Sequence, residues 1–145
     1  MLRMAVLGCG RIGQMHAANV ARHPRAALAG VYDLHQPSAD KVATAQGVPA
    51  FSTAEEVFES PQVDAVLIAT ATPTHADYIE MAIAAGKAVL CEKPIDLNLA
   101  RVNACAARIK GTKLPIQLGF NRRCDPGHSA ARAAMLAGDI GDLHQ

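Results

Sequence analysis

The sequence predicts an α/β fold in which a doubly wound parallel sheet carries helices on both faces. Short apolar runs alternate along the chain with longer segments of helical period, the pattern of repeated strand–helix–strand units. The apolar runs are nearly continuous rather than alternating with polar residues, as expected of strands covered on both faces. Residues 49–51 form a candidate short edge strand. The main predicted strands are residues 4–7, 27–32, 65–69, 88–91 and 116–119.

Helical segments fill the intervals between these strands, and residues at their ends favour helix initiation or termination. Thr53 with Glu56 forms a capping box at one helix start. Glycines follow several predicted helix ends, where a left-handed residue closes the last turn: Gly47, Gly86, Gly111 and Gly138. The predicted helices are residues 12–22, 38–46, 53–59, 75–85, 99–110 and 126–137.

The composition limits the classes of protein to which the chain can belong. Its 145 residues make one ordinary domain with enough apolar side chains, half of the total, for a real core. Charged residues are 19%, which excludes an intrinsically disordered chain. Because 14 Lys and Arg face 13 Asp and Glu, we expect neither nucleic acid nor a membrane as a partner. Apolar runs also stay short of the ~18 residues of a membrane span.

The four cysteines indicate a reducing compartment. They are Cys9, Cys91, Cys105 and Cys124, and they form neither a Cys-x-x-Cys motif nor a set with paired histidines at zinc spacing. We therefore expect reduced, buried thiols and no metal site. The strand pattern begins at Met4, which leaves no room for a signal peptide. The expected location is the cytoplasm.

A glycine-rich loop follows the first predicted strand and opens the first helix. Gly8-Cys-Gly10-Arg-Ile-Gly13 fits G-x-G-x-x-G, a weak motif alone that gains force from this strand–loop–helix context. Gly8 allows a tight turn, Gly10 lets the backbone approach a pyrophosphate, and Gly13 permits close helix–strand packing. The helix start at Arg11 and Ile12 directs free N–H groups at the phosphates. The loop predicts a Rossmann-type dinucleotide site.

Asp33 supplies the second half of this fingerprint. It ends the second predicted strand, 20 residues after Gly13, where a carboxylate accepts both adenosine ribose hydroxyls. A 2′-phosphate about 4 Å away would be repelled by roughly 1 kcal/mol in water and roughly 4 at an effective dielectric of 20. Leu34, His35 and Gln36 follow, so no arginine compensates. We expect NAD to be preferred over NADP by about ten- to a thousandfold; the less favoured alternative is a surface carboxylate in a turn.

Three further motifs resemble those of the glucose–fructose oxidoreductase/inositol dehydrogenase (Gfo/Idh/MocA) family. They are Cys91-Glu92-Lys93-Pro94, Thr72-Pro-Thr-His75 and Gly119-Phe-Asn-Arg-Arg-Cys-Asp-Pro126. The resemblance covers essentially all 145 residues. Within the family, the segments 92–97 and 119–126 are most similar to those of inositol 2-dehydrogenases.

The resemblance implies a catalytic role for Lys93. It matches the family's active-site lysine, which binds the substrate hydroxyls and assists proton removal. An ammonium group at this place stabilises the alkoxide character that builds up as an alcohol is oxidised. By the same resemblance Glu92 orients the lysine or the nicotinamide ribose, and Pro94 fixes an unusual turn, with a cis bond as one form of it. The alternative for Lys93 is a solvated surface residue.

Other positions match the family's cofactor surface. Arg122 matches a residue that contacts substrate and cofactor, with Arg123 as the alternative. Ala69, Thr70 and His75 match the loop that lies along the cofactor. His75 has a second interpretation, as the N-terminal capping residue of its helix.

Two attractive combinations do not fit the family's chemistry. Asp125-Pro-Gly-His128 has a spacing one residue short of the family's Asp-x-x-x-His and lies too early in the chain. We interpret it as a helix start, with Asp125 as the cap and Pro126 in the first turn. Cys9 lies inside the phosphate loop, where we expect a small filler rather than a redox switch.

The resemblance implies NAD-dependent oxidation of a ring secondary alcohol of a cyclitol or sugar, myo-inositol by preference. The polyol substrate is then the partner, and the whole protein is a homo-oligomer, a tetramer. The alternatives are a non-catalytic NAD-binding sensor and, among enzymes, a scyllo-inositol or aldose dehydrogenase. A sensor needs no ammonium group at the nicotinamide end, so Lys93 argues against it.

The family's catalytic histidine and aspartate belong to a second domain, an open antiparallel sheet. We therefore expect residues 1–122 to form the NAD-binding Rossmann domain. Residues 123–145 are expected to form a linking helix and the start of a truncated substrate domain. The chain alone is expected to be inactive and to expose apolar surface near residues 116–120 and along residues 126–137.

Overall fold

Five parallel strands form the central sheet of the computed structural model, which describes residues 1–141. Their order is β2-β1-β3-β4-β5. In register, Leu7 pairs with Tyr32 on one side and with Ile68 on the other. The predicted strands are confirmed to within two residues at each end. The strands are β1 (Leu2–Leu7), β2 (Ala26–Tyr32), β3 (Ala65–Ile68), β4 (Ala88–Cys91) and β5 (Ile116–Leu118).

Six helices connect or follow the strands, and predicted capping residues lie at the start of one and at the ends of two others. Thr53 Oγ1 accepts a hydrogen bond from the Glu56 N–H at the start of the third helix. Gly47 and Gly138 close two others in left-handed conformations, with φ of 66° and 81°. The helices are α1 (Arg11–Arg22), α2 (Gln36–Gln46), α3 (Ala54–Glu59), α4 (His75–Ala84), α5 (Leu99–Arg108) and α6 (Pro126–Ala137). Two short 3-10 turns, Thr72–Thr74 and Asn121–Cys124, were not predicted.

The two faces of the sheet carry separate apolar cores. Successive side chains of a strand point to opposite faces, so Ala5 and Leu7 of β1 pack in one layer and Val6 packs in the other. The first layer holds α3, α4 and α5, and the second holds α1 and α2. This confirms the predicted doubly wound arrangement and explains why the strands read as continuous apolar runs.

The predicted edge strand at residues 49–51 is wrong as a strand. The segment forms a single parallel bridge, from Ala50 to Val31 at the outer edge of β2. The Val31 N–H donates to the Pro49 carbonyl at 3.0 Å, and the Phe51 N–H donates to the Val31 carbonyl at 2.9 Å. A Cβ at Gly30 would lie 2.5 Å from the Phe51 ring, so glycine makes room for this contact. One bridge thus occupies the place that a third strand takes in dinucleotide-binding sheets.

The sheet topology brings the predicted site residues to one edge. The chain turns to β2 on one side of β1 and returns to β3 on the other, which opens a crevice at the carboxyl ends of these strands. Gly8, Asp33, Ala69 and Glu92 directly follow β1, β2, β3 and β4.

The carboxyl-terminal helix is the least covered element. No residue of α6 is buried, and Leu136 is 65% exposed. Phe120, which precedes it, is 55% exposed. The predicted apolar surface at both segments is therefore present. Across residues 1–141, none of the helices combines the length and the apolar character that a bilayer crossing requires.

Thiol reactivity checks this packing. Cys9, Cys91 and Cys105 are buried and Cys124 is exposed. Burial is the main cause that raises the pKa of Cys9 and Cys91 to about 12. Because the thiolate is the reactive form, these two thiols should hold about a thousandfold less thiolate at pH 8 than free cysteine. Their reaction should therefore be slow at pH 8 and become faster as the pH rises toward 12. We expect a maleimide to label one thiol fast in the folded protein and all four in guanidinium. Cys124→Ser should remove the fast phase, and fast labelling of Cys9 would contradict the packing.

Candidate dinucleotide and active site

The phosphate loop fits its sheet edge because two of its glycines leave no room for a side chain. Gly8 has φ of 95°, and a Cβ there would lie 2.5 Å from the Ala69 carbonyl oxygen. A Cβ on Gly13 would lie 1.7 Å from the Gly8 carbonyl oxygen. Helix α1 therefore packs directly against the end of β1, as the motif predicts.

Gly10 faces open space at the start of α1, where an anion could approach the backbone. A Cβ there would meet nothing within 4 Å. Gly10 caps α1 without a side-chain hydrogen bond, and no acidic residue lies in the first turn. The N–H groups at the helix start, which include those of Arg11 and Ile12, are therefore free to bind phosphate oxygens. The side chains of these two residues are exposed.

Asp33 holds the loop as well as facing the cavity. Its Oδ2 accepts a hydrogen bond from the Cys9 N–H at 2.6 Å, and its Oδ1 accepts one from the His35 N–H at 2.8 Å. Each carboxylate oxygen has a further lone pair for a ribose hydroxyl. The sequence indicated the ribose function, whereas the bond to Cys9 depends on the folded loop. Cys9 itself is 1% exposed, in agreement with its predicted filler role.

A cavity of about 430 Å³ runs from this carboxylate along the loop. Sequence reasoning placed Ala69 and Thr70 here, and both line it. It missed Thr74 and Tyr78, which lie four residues apart and so on one side of the helix start. Burial, followed by a hydrogen bond with Tyr32, raises the pKa of Tyr78 to about 12, so its phenol stays neutral. The cavity combines an anionic end with apolar walls, as a nucleoside requires.

The structure corrects both predictions for His75. The residue is 2% exposed, so its ring is buried beneath the loop instead of lining the cavity. The N-cap of α4 is Thr74. His75 Nδ1 lies 2.7 Å from the Pro94 carbonyl oxygen, and Nε2 lies 3.0 Å from the Thr70 carbonyl oxygen. His75 thus joins the loops after β3 and β4.

Lys93 lies in a second cavity of about 670 Å³ at the same sheet edge. The Glu92 N–H donates to the Ile68 carbonyl at 2.8 Å, which continues the sheet as far as the residue before the lysine. The Lys93–Pro94 peptide bond is cis, as anticipated. The other residues that line this cavity are Gly119, Phe120, Asn121, Arg122 and Arg123.

The cavity contains both candidate arginines, so the choice between Arg122 and Arg123 stays open. Arg122 Nη1 lies 3.6 Å from Asp125 Oδ2 at the surface. The structure brings Arg122 to Lys93 and not to Asp33, which lines the first cavity. The site therefore has a nucleotide part and a lysine part.

Asp125 caps helix α6, as predicted. Its Oδ1 accepts a hydrogen bond from the His128 N–H at 3.0 Å. This bond is the first of the causes that hold the pKa of Asp125 below its usual range. The pair is therefore part of a helix start. In the part of the chain that the structure describes, no three His, Cys, Asp or Glu side chains come together as a metal site.

His16 is a residue that sequence reasoning missed. Its Nε2 lies 2.8 Å from Glu92 Oε1, between two side chains that are 19% and 25% exposed. The available signal was its position one helical turn after Ile12 on α1, which places it on the same side of that helix. Its distant partner was not predictable from spacing.

Comparison with known proteins gives consistent matches. The family model for the Gfo/Idh/MocA oxidoreductase family, NAD-binding Rossmann fold, matches residues 2–120. An inositol 2-dehydrogenase of Rhizobium meliloti is 43% identical over 98% of this chain and 43% of its own length. The scyllo-inositol 2-dehydrogenase (NAD(+)) of Bacillus subtilis is 42% identical over 97% of this chain and 42% of its own.

A solved structure agrees with these relatives. The scyllo-inositol dehydrogenase of Lactobacillus casei, with bound NAD(H) and scyllo-inositol, superposes with a TM-score of 0.92 at 31% identity. The match covers 98% of this chain and 43% of that one. The chain thus spans less than half the length of these relatives.

Alanine at two glycines separates folding from cofactor binding. Gly10→Ala places a methyl group in open space where the phosphates would lie, on a backbone with φ of −68° that alanine tolerates. We expect its melting temperature to be unchanged and its NAD affinity to fall at least tenfold by calorimetry. Gly13→Ala collides with the Gly8 carbonyl and should lower both. Normal NAD binding by Gly10→Ala would contradict the phosphate assignment.

Proposed function

Because the chain belongs to the Gfo/Idh/MocA oxidoreductase family, whose NAD-binding Rossmann domain it forms, we propose that it is the cofactor-binding part of an NAD-dependent dehydrogenase. The substrate is a cyclitol or sugar oxidised at a ring secondary alcohol, with myo-inositol as the first candidate. The observation that carries the proposal is the position of Lys93 in a cavity at the same sheet edge as the dinucleotide loop.

The residues present fit the cofactor along the whole edge. The free N–H groups at the start of α1 bind the pyrophosphate, and the Asp33 carboxylate binds the adenosine ribose hydroxyls. Thr74 and Tyr78 wall the nucleoside cavity. When bound, NAD supplies the hydride acceptor at nicotinamide C4.

Lys93 acts on the substrate. Its ammonium group donates hydrogen bonds to the reacting hydroxyl and stabilises the negative charge that develops on that oxygen as the carbinol hydrogen departs with its electron pair. Arg122 or Arg123 binds further hydroxyls in the same cavity. The hydroxyl proton passes to a general base outside the described residues, for which the family resemblance names a histidine of the second domain. The chain alone, without that base, is inactive.

The alternative functions have weaker support. A non-catalytic NAD sensor gives no reason for a cation beside the nicotinamide end. A scyllo-inositol or an aldose remains an alternative substrate, and both matched relatives that carry the scyllo-inositol name contain this region. The stereoisomer depends on contacts from residues beyond this chain, so a panel of cyclitols and aldoses assayed with NAD decides it.

The organisation of the whole protein is part of the proposal. We place the boundary between the cofactor domain and a substrate domain at residues 122 and 123. The absence of buried side chains in α6 supports this placement. The free thiols favour the cytoplasm. A homo-oligomer, of four subunits, follows from the family resemblance.

Asp33 should determine the choice between NAD and NADP. Its charge repels a 2′-phosphate, so we expect wild-type protein to bind NAD about ten- to a thousandfold more tightly than NADP. Asp33→Ala should narrow this ratio, because it removes both the ribose acceptor and the repelling charge. It should also weaken both cofactors, since the Cys9 N–H loses its acceptor. Calorimetry with both cofactors measures the ratio.

Asp40→Ala, which removes an exposed carboxylate on α2, is the matched control. Equal or tighter NADP binding by wild type would overturn the assignment.

Lys93 should control turnover and leave cofactor affinity nearly unchanged. In the intact protein, Lys93→Ala should lower kcat by about a hundredfold or more, the scale of a positioned acid–base group. The NAD dissociation constant should change by less than about threefold, because the lysine lies outside the nucleotide cavity. Steady-state NADH formation and calorimetry give the two numbers. Lys110→Ala, an exposed lysine, should match wild type in both. If Lys93→Ala kept wild-type turnover, Lys93 would be a solvated surface lysine without a catalytic role.

A further inference from the structure

A histidine from the cofactor-binding helix contacts the residue before the candidate catalytic lysine. His16 lies in the second turn of α1, the helix whose free N–H groups face the phosphate site. Its Nε2 lies 2.8 Å from Glu92 Oε1. The two residues are 76 positions apart in sequence, so this contact exists only in the folded sheet. The chemistry proposed above assigns His16 no task.

Glu92 is held on several sides. Its backbone N–H donates to the Ile68 carbonyl at 2.8 Å, which anchors the residue to the end of β3. A Cβ on Gly119 would lie 3.1 Å from Glu92 Oε2, so the absence of a side chain there makes room for the carboxylate. Within residues 1–141, the His16 ring is the hydrogen-bond partner of that carboxylate. The His16 ring and the space at Gly119 together define where the carboxylate rests.

Glu92 directly precedes the lysine turn. Lys93 is the next residue and lines its cavity together with Gly119, the same glycine that borders the Glu92 carboxylate. The Glu92 carboxylate borders Gly119, so a side chain released from His16 could turn past this glycine into the lysine cavity. The hydrogen bond with His16 keeps the carboxylate at helix α1.

We propose that His16 is a positioning residue for the dehydrogenase reaction: its imidazole holds the Glu92 carboxylate against α1 and so fixes Lys93 relative to the bound cofactor. This inference rests on the proposed function. It predicts that the loss of the imidazole impairs the reaction step more than cofactor binding, because the phosphate loop and Asp33 do not depend on His16.

Variants of His16 in the intact protein test the proposal. His16→Leu removes the hydrogen bond, and we expect kcat to fall about ten- to a hundredfold, the range for a lost bond to a charged group. The NAD dissociation constant should stay within about twofold. His16→Gln should restore kcat to within about threefold of wild type, because its amide N–H can donate to the same carboxylate. His23→Leu, an exposed histidine that follows α1, is the control and should behave as wild type.

A double-mutant cycle tests whether the effect passes through Glu92. If it does, adding His16→Leu to Glu92→Ala, which lacks the acceptor, should lower kcat by less than about threefold, well below its effect in wild type. Additive losses would overturn the proposed route. So would a kcat for His16→Leu within twofold of His23→Leu, or a loss that His16→Gln does not restore.

A spectroscopic measurement makes the test independent of turnover. In spectra of the protein with ¹³C-methylated lysines, the Lys93 signal, assigned through Lys93→Arg, should shift in His16→Leu and not in His23→Leu. If wild type binds NAD but oxidises no polyol of the panel, the proposed function fails while this signal still decides whether His16 positions Lys93. An unchanged Lys93 signal in His16→Leu would refute the positioning role.

Discussion

The close approach of Gly13 to the Gly8 carbonyl is the contact on which the site depends. Side chains at these positions would overlap the backbone, with a Cβ on Gly13 only 1.7 Å from that oxygen. Helix α1 can therefore begin immediately at the end of β1, and its free N–H groups lie over the sheet edge. The ends of β2 and β3 meet the same edge, so Asp33 and Thr70 reach the cavity without long loops.

The lysine turn is held from both faces of the sheet. His16 reaches Glu92 from α1, which packs in one layer, and His75 reaches the Pro94 carbonyl from α4, which packs in the other. His75 also contacts the Thr70 carbonyl, so the nucleotide cavity and the lysine cavity share a support. Two imidazoles thus contact the residues on either side of Lys93, one from each layer.

The fold was predictable from sequence because its signals are local. Apolar runs, capping residues and the glycine loop gave the strands, the helices and the carboxyl-edge location of the site. The predicted strand at residues 49–51 is wrong, because this segment forms only one bridge with β2, beside Gly30. The contacts of His16 and His75 were not predictable, because each joins residues that only the sheet topology brings together. Likewise, periodicity identifies neither Tyr78 as a cavity wall nor Asp33 as the acceptor for the Cys9 N–H.

Asp33 both binds the loop backbone and lines the nucleotide cavity, and this affects any attempt to change the cofactor preference. One carboxylate both holds the Cys9 N–H of the phosphate loop and faces the ribose site. Selection for NADP therefore acts on two properties at once, since removing the whole side chain also takes away the acceptor that holds the loop. A substitution that keeps an acceptor for that N–H, such as Asp33→Asn or Asp33→Ser, can discard the charge while the glycine turn stays in place. In evolutionary terms, the path from one cofactor to the other passes through residues that are small, neutral and still able to accept a hydrogen bond.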